Sequence, residues 1–366
     1  MTVIIFIIVL AIIVLVHELG HFIVAKKSGV KVEEFGVGLP PRAWGKKIGE
    51  TIYSVNWIPL GGFVRMLGED ISDETKISTA DKPRSFSDKP RWIQALILVA
   101  GISFNLIFAW LIISLGFAIG MPAPVGASVF GQTQNVQTVI TDVVPKSPAD
   151  TAGLVAGDTV ISAEVGGQTI ANPTSENISE AISKSQKGDV TISYKQGDSA
   201  AKTVTITPST SIVPGERLIG ISMNSLGTLK LSPPLALLEG AHTTYLLIIS
   251  TAQGLAQFLW QAVTFKANLS EVSGPIGIAS VVGQATRLGF VYLLSLIALI
   301  SINLALINLV PFPALDGGHL LFVAIEAVTR RQIPPKVAST LNTIGFFLLL
   351  ALMLLISVHD VFNLVR

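Results

Sequence analysis

Four apolar runs divide the chain. Residues 2–25 contain one acid, Glu18; 92–120 contain no charge; 288–315 contain none between Arg287 and Asp316; and 337–359 contain none between Lys336 and Asp360. About 20 apolar residues at ~1.5 Å each cross a hydrocarbon core of ~30 Å, so each run predicts a transmembrane helix. The first lacks the basic leader and small-residue cleavage site of a signal peptide and is expected to be retained. A fifth run, 240–265, is also uncharged but carries His242, Ser250, Gln253, Gln257 and Gln261. That polarity predicts an amphipathic helix on a membrane or protein surface, within a connecting segment 235–287.

Between the runs the periodicity changes. Residues 51–58 and 63–67 alternate around the turn Pro59-Leu60-Gly61-Gly62, which predicts a β-hairpin over about 51–67. Its apolar character suggests association with lipid, and residues 68–90 read as a polar, flexible connection. From 123 to 228 Ser, Thr, Gly and Asp dominate. Short alternating segments at 190–194 and 203–207 and a helical stretch near 176–185 predict a small α+β module there.

Composition fits this layout. Half the chain is hydrophobic and 13% is charged, against about 25% in a soluble globular domain. The net charge of +1 supplies no basic field for nucleic acid, so nucleic-acid binding is not expected. Local charge sets the orientation. Loop 26–91 holds twelve Lys and Arg, loop 121–287 holds nine in a much longer stretch, and Arg330, Arg331 and Lys336 follow the third run. The positive-inside rule places the first and third loops in the cytoplasm, which requires four spans and puts 123–228 outside. The expected fold is therefore a polytopic α-helical membrane protein with four transmembrane helices, a membrane-associated β-hairpin and an inserted α+β domain. Its segments are 1–25, 26–91, 92–120, 123–228, 235–287, 288–329 and 337–359.

With no cysteine, any metal must be held by His, Asp or Glu. His17-Glu18-Leu19-Gly20-His21 is a HExxH motif: on a helix both imidazoles reach one zinc and the glutamate sits beside them as a base. Ionisable groups inside an apolar span are costly and usually functional. Catalytic zinc needs three protein ligands and an open position. The candidates for the third are Asp316, His319, Glu326, His359 and Asp360. With four spans the first and third run the same way, which brings Asp316 to the cytoplasmic end where His17 and His21 lie and leaves His359 and Asp360 on the outer side. Asp316 is the expected ligand and His319 the runner-up. Two prolines and two glycines between Pro311 and Gly318 break the helix there, which a membrane tolerates where backbone is buried or lines a polar cavity. Asn303 and Asn308 lie just before the break. Each amide can donate to a substrate carbonyl or join helices by hydrogen bonds.

This combination resembles the site-2 protease family of intramembrane zinc metalloproteases, and within it the bacterial regulator-of-sigma-E protease branch. The resemblance covers nearly the whole chain: His17-Glu18-x-x-His21, Gly101-x-x-x-Asn105, Ser273-Gly274-Pro275-Ile276-Gly277, and Asn308-x-x-Pro311-x-Pro313-x-Leu315-Asp316-Gly317 occur in the family's order. Ile102 departs from it, standing where the family often has proline. Pro145, Ser147, Pro148 and Ala149, followed by Gly153, Leu154, Gly157 and Asp158, resemble the core of bacterial PDZ domains, so 123–228 is expected to be a single PDZ-like domain. The resemblance implies one zinc per chain on His17, His21 and Asp316, with Glu18 activating water and Asn308 holding substrate. It also implies hydrolysis of peptide bonds within single-span membrane proteins already trimmed by another protease, in the bacterial cytoplasmic membrane. The active site would lie toward the cytoplasm and the PDZ-like domain outside, screening substrates. The substrates the resemblance implies are an anti-sigma factor or a remnant signal peptide. The hairpin residues Gly62, Phe63, Val64, Arg65 and Met66 would pair with the unwound substrate strand. The competing expectations are an inert membrane-anchored PDZ scaffold, a metal transporter, and an anchored metalloprotease with a soluble site.

Overall fold

The computed structural model describes residues 2–69, 78–170, 173–185, 188–197, 199–213, 216–264, 266 and 274–365. Ser273 and residues 70–77 of the expected connection lie outside these. In chain order the elements are α1 (Thr2–Lys27), β1 (Val32–Ile48), β2 (Thr51–Met66), α2 (Arg91–Ile119), β3 (Met121–Pro124), β4 (Gln134–Val143), α3 (Pro148–Thr151), β5 (Thr159–Val165), β6 (Gln168–Ile170), α4 (Ser175–Lys184), β7 (Val190–Lys195), β8 (Lys202–Ile206), β9 (Ser209–Val213), β10 (Glu216–Leu218), β11 (Ile221–Leu229), α5 (Pro233–Val263), α6 (Pro275–Leu288), α7 (Phe290–Leu309), α8 (Asp316–Thr329) and α9 (Pro335–Val365). They form two compact units, one made of residues 1–113 with 240–366, the other of 114–239.

Among the described residues, five helices are long and apolar enough to cross a membrane: α1, α2, α5, α7 and most of α9. The α5 helix, expected on a surface, meets this measure too, as the least apolar of the five. The third apolar run is shorter than expected. It ends at Leu309, and the chain turns through residues 310–315 before α8 begins at Asp316.

In the helical unit, Lys26 and Lys27 close α1, where cations favour the negative end of the helix dipole. Ala25, Val30, Val32, Met66, Ile97, Leu98 and Val323 form one apolar cluster there, tying the end of α1 to the strands, α2 and α8. Val9 and Ile13 pack on Ile297 of α7. Gly20 lets α1 and α2 touch: a Cβ there would lie 2.5 Å from the Ala100 carbonyl oxygen. Ile102 is buried within an uninterrupted α2.

The strands correct the expected hairpin. Residues 51–58 and 62–66 do not pair with each other; both flank the same stretch of β1. Glu34, Phe35, Gly36 and Val37 pair on one side with Arg65, Val64, Phe63 and Gly62, and on the other with Ile52, Tyr53, Ser54 and Val55. A tight hairpin does exist, between Ile48 and Thr51. The alternation of 51–58 fits either partner; the deciding neighbour, 32–37, lies some twenty residues upstream. Gly62–Met66 is left as an edge strand, paired with β1 on one side, while on the other its Met66 N–H donates to the Glu69 carboxylate.

The other unit is α+β. Its main sheet has the order β3-β11-β4-β5-β7-β8 with β6 beside β5, and β9 and β10 form a separate hairpin. Its core joins Ile178 and Ile182 of α4 to Ile140, Val160, Ile192 and Ile206 of the sheet. Thr174 and Asn177 close a capping box at the start of α4.

Candidate metal centre

The helical period sets His17 and His21 one turn apart on one face of α1. Both are buried, and their Nε2 atoms stand 3.2 Å apart. Asp316, at the first turn of α8, brings Oδ2 to 2.9 Å from His17 Nε2 and 3.4 Å from His21 Nε2. The turn that delivers it is compact. A Cβ on Gly317 would lie 2.5 Å from the Leu309 carbonyl oxygen, and Ala314 takes the left-handed conformation at φ 74°. The polypeptide thus doubles back on the end of α7, and only a residue without a side chain fits at 317.

The three donor atoms suit zinc. Tetrahedral ligands at ~2.0–2.1 Å from a zinc ion stand roughly 3.3–3.4 Å from one another, and the triangle of 2.9, 3.2 and 3.4 Å approaches that size. Two imidazole nitrogens and a carboxylate oxygen are also the donor types catalytic zinc takes. His21 Nδ1 lies 2.8 Å from the Ile97 carbonyl. That carbonyl can only accept, so the proton is on Nδ1 and the Nε2 electron pair faces the cluster. Among the described residues, His17, His21 and Asp316 are the group of His, Asp and Glu that converges closely enough to hold a metal.

The other candidates lie elsewhere. His319 Nε2 is hydrogen-bonded to Asn342 of α9 at 2.9 Å. Glu326 pairs with Arg91 at 2.9 Å. Asp360 accepts from the backbone N–H groups of Gly274 and Gly277 at the start of α6. Asn308 reaches the cluster, its Nδ2 3.5 Å from His17 Nε2. Asn303, five residues earlier and so about 140° around the helix, donates instead to the Leu299 carbonyl.

The edge strand meets the cluster at Glu18. The backbone N–H of Val64 donates to the Glu18 carboxylate, and a Cβ on Gly62 would stand 3.5 Å from Glu18 Cγ. Phe63 lies over Gly36, Arg65 approaches Glu34 at 3.9 Å, and Met66 is buried in the apolar cluster. Gly62 and Val64 therefore border the site, while the side chains of Phe63, Arg65 and Met66 build the sheet.

Sequence reasoning assigned no role to the residues of α2 that line the cluster. A Cβ on Gly101 would meet both imidazoles, and the Asn105 carboxamide lies 3.4 Å from His17 Nδ1. The signal was present in the spacing, since positions four apart share a helix face.

A family model described as peptidase family M50 matches residues 5–352. A Clostridium perfringens protein named "Putative zinc metalloprotease" is 36% identical over 352 residues, 95% of each chain. A Clostridium acetobutylicum protein with the same designation is 33% identical over 359 residues, 98% of this chain and 97% of the other. The zinc metalloprotease RasP of Geobacillus kaustophilus is 28% identical over 437 residues, 97% of this chain and 96% of that one.

Proposed function

Because the chain belongs to peptidase family M50, the site-2 protease family, and is a zinc metalloprotease, we propose that it hydrolyses peptide bonds inside the transmembrane segments of single-span membrane proteins. The observation that carries this reading is the convergence of His17, His21 and Asp316 within a helix long and apolar enough to span a membrane and at the start of another. In this reading those three residues hold one zinc. The metal supplies a Lewis acid that polarises the scissile carbonyl and makes water a nucleophile at neutral pH. Glu18 accepts the proton of the attacking water and returns it to the leaving amine. The Asn308 amide donates to the substrate carbonyl as negative charge grows on its oxygen.

A helical substrate hides its carbonyls in its own hydrogen bonds and must be unwound. The edge strand around Gly62, beside Glu18, is where the extended segment adds as a further strand. In the α+β unit, Ile178 and Ile182 of α4 face Ile221 and Met223 of β11 across an apolar groove, which supports a PDZ-like role in admitting trimmed chain ends. The orientation follows from the basic loops. Four spans lie in the bacterial cytoplasmic membrane, with α5 on a surface, the α+β unit outside and the zinc site toward the cytoplasm.

The test is cleavage of a single-span substrate in proteoliposomes, with products mapped by mass spectrometry. Cuts fall within the apolar segment, and Glu18→Gln retains zinc while slowing cleavage about 10²–10⁴-fold. Unchanged cleavage by Glu18→Gln, or cuts confined to flanking soluble residues, would overturn the proposal.

A further inference from the structure

The α2 helix passes the cluster with Gly101 and Asn105 on one face. Asn105 is wholly buried. Its Nδ2 lies 3.4 Å from His17 Nδ1, and its Oδ1 is buried with no hydrogen-bond partner. An amide N–H donating to Nδ1 would put the imidazole proton on Nε2, the atom that faces His21 Nε2 at 3.2 Å and Asp316 at 2.9 Å. His17 would then have no electron pair to offer a metal. Turning the carboxamide by 180° exchanges two nearly isosteric atoms. It gives the orphaned oxygen a donor and frees the Nε2 electron pair.

We propose that Asn105 is a positioning residue of the metal centre: its side-chain oxygen accepts the Nδ1–H of His17 and fixes the tautomer whose Nε2 binds zinc. Residue Ile97 of the same helix does this for His21 through its main-chain carbonyl. The α2 helix thus holds both imidazoles by their outer nitrogens, the outer-shell arrangement that orients histidine ligands and raises their basicity. The Asn105 main chain has a separate task, its carbonyl accepting from Ser301 Oγ of α7 at 2.9 Å, so side-chain substitutions leave that helix contact in place. The inference rests on His17 being a zinc ligand.

The test is zinc affinity of the detergent-purified full chain, measured by competition with a chromophoric chelator, for the wild type, Asn105→Leu, Asn105→Asp and His17→Ala. Asn105→Leu removes the acceptor and weakens zinc binding about 10–100-fold. Asn105→Asp retains an acceptor that cannot donate when ionised and binds within a few-fold of wild type, a rescue that a purely space-filling role would not favour over leucine. Wild-type affinity in Asn105→Leu overturns the inference, as does an Asn105→Asp variant as weak as Asn105→Leu, which would make the amide N–H the operative group. Undiminished affinity in His17→Ala would instead overturn the ligand assignment beneath it.

Discussion

Replacing Gly101 by alanine separates the metal centre from the fold that holds it. A Cβ at this position would stand 2.7 Å from His21 Cε1 and 2.8 Å from His17 Cε1, with His21 Nε2 nearer still. Ordinary contact begins near 3.4 Å, so the His17 ring must retreat by about 0.6 Å and the His21 ring, whose Nε2 is the nearest atom, by more, or the helices must part by as much. Metal sites keep their ligand distances to within ~0.2 Å, and neither ring can make that move and remain a ligand in the same triangle. Alanine meanwhile favours an interior helix position by roughly 0.5–1 kcal/mol over glycine. The expected variant is a well-folded helical protein that has lost zinc. After dialysis against a weak chelator, inductively coupled plasma mass spectrometry should find about one zinc per wild-type chain and well under a tenth of that in Gly101→Ala, with unchanged far-ultraviolet circular dichroism. Full zinc occupancy at wild-type affinity would refute the argument, because α2 would then not limit the imidazoles.

Two further outcomes follow from contacts away from the metal. Burial alone would raise the Glu34 carboxyl, but hydrogen bonds from Ser54 and Arg42, with the charges of Arg42 and Arg65, outweigh it and hold the group below the ordinary glutamate range. Its stabilising effect is therefore present above the unfolded-state value of about 4.3 and is lost as pH falls through the lower folded-state value; hydrogen exchange corrected for intrinsic rates should show Glu34–Val37 losing protection over that window in the wild type, and no such step in Glu34→Gln. Asp360 accepts from Gly274 N at 3.3 Å and Gly277 N at 2.8 Å, capping α6 from α9; Asp360→Ala should cost about 1–2 kcal/mol, read as a lower Tm in detergent with zinc content unchanged.

Periodicity and motif spacing go far for this chain where the relevant contact is local. The apolar runs are α1, α2, α7 and α9 because a helix is the one unit that satisfies its own backbone across ~30 Å of hydrocarbon, and HExxH needs only the helical repeat to align its histidines. Legibility falls where the partner is distant. Residues 51–58 alternate as any half-buried strand does, and nothing in them says that their second neighbour is 34–37. Asn303 and Asn308 are alike in composition and both near the break, but five positions of helix turn them to different faces, and Asn308 alone reaches His17. Gly101 and Asn105 stand out in the sequence as a family-like motif in an uncharged run, but nothing local says what they touch, so their work at the cluster emerges once α2 is seen against α1.

The break between α7 and α8 is what makes the third donor possible. A carboxylate in the middle of a membrane helix projects from one side of a rigid rod, and its backbone N–H and C=O are committed to neighbours four residues away. At the first turn of a helix the N–H groups are uncommitted and the dipole's positive end lies close, so a negative side chain is favoured there. Asp316 occupies that place in α8. The cost is a turn whose backbone groups leave the helical ladder, and the chain pairs several of them internally: Phe312 N–H donates to the Val310 carbonyl, Leu315 N–H to the Phe312 carbonyl, and Asn342 of α9 accepts from Ala314 N–H. Gly345 lets α9 close over Pro313, where a Cβ would stand 2.6 Å from the Pro313 carbonyl oxygen. The expected result of Gly345→Leu is therefore loss of zinc through displaced Asp316, although residue 345 touches no ligand. A Gly345→Leu variant that binds zinc as tightly as wild type would show that the turn keeps its shape without α9.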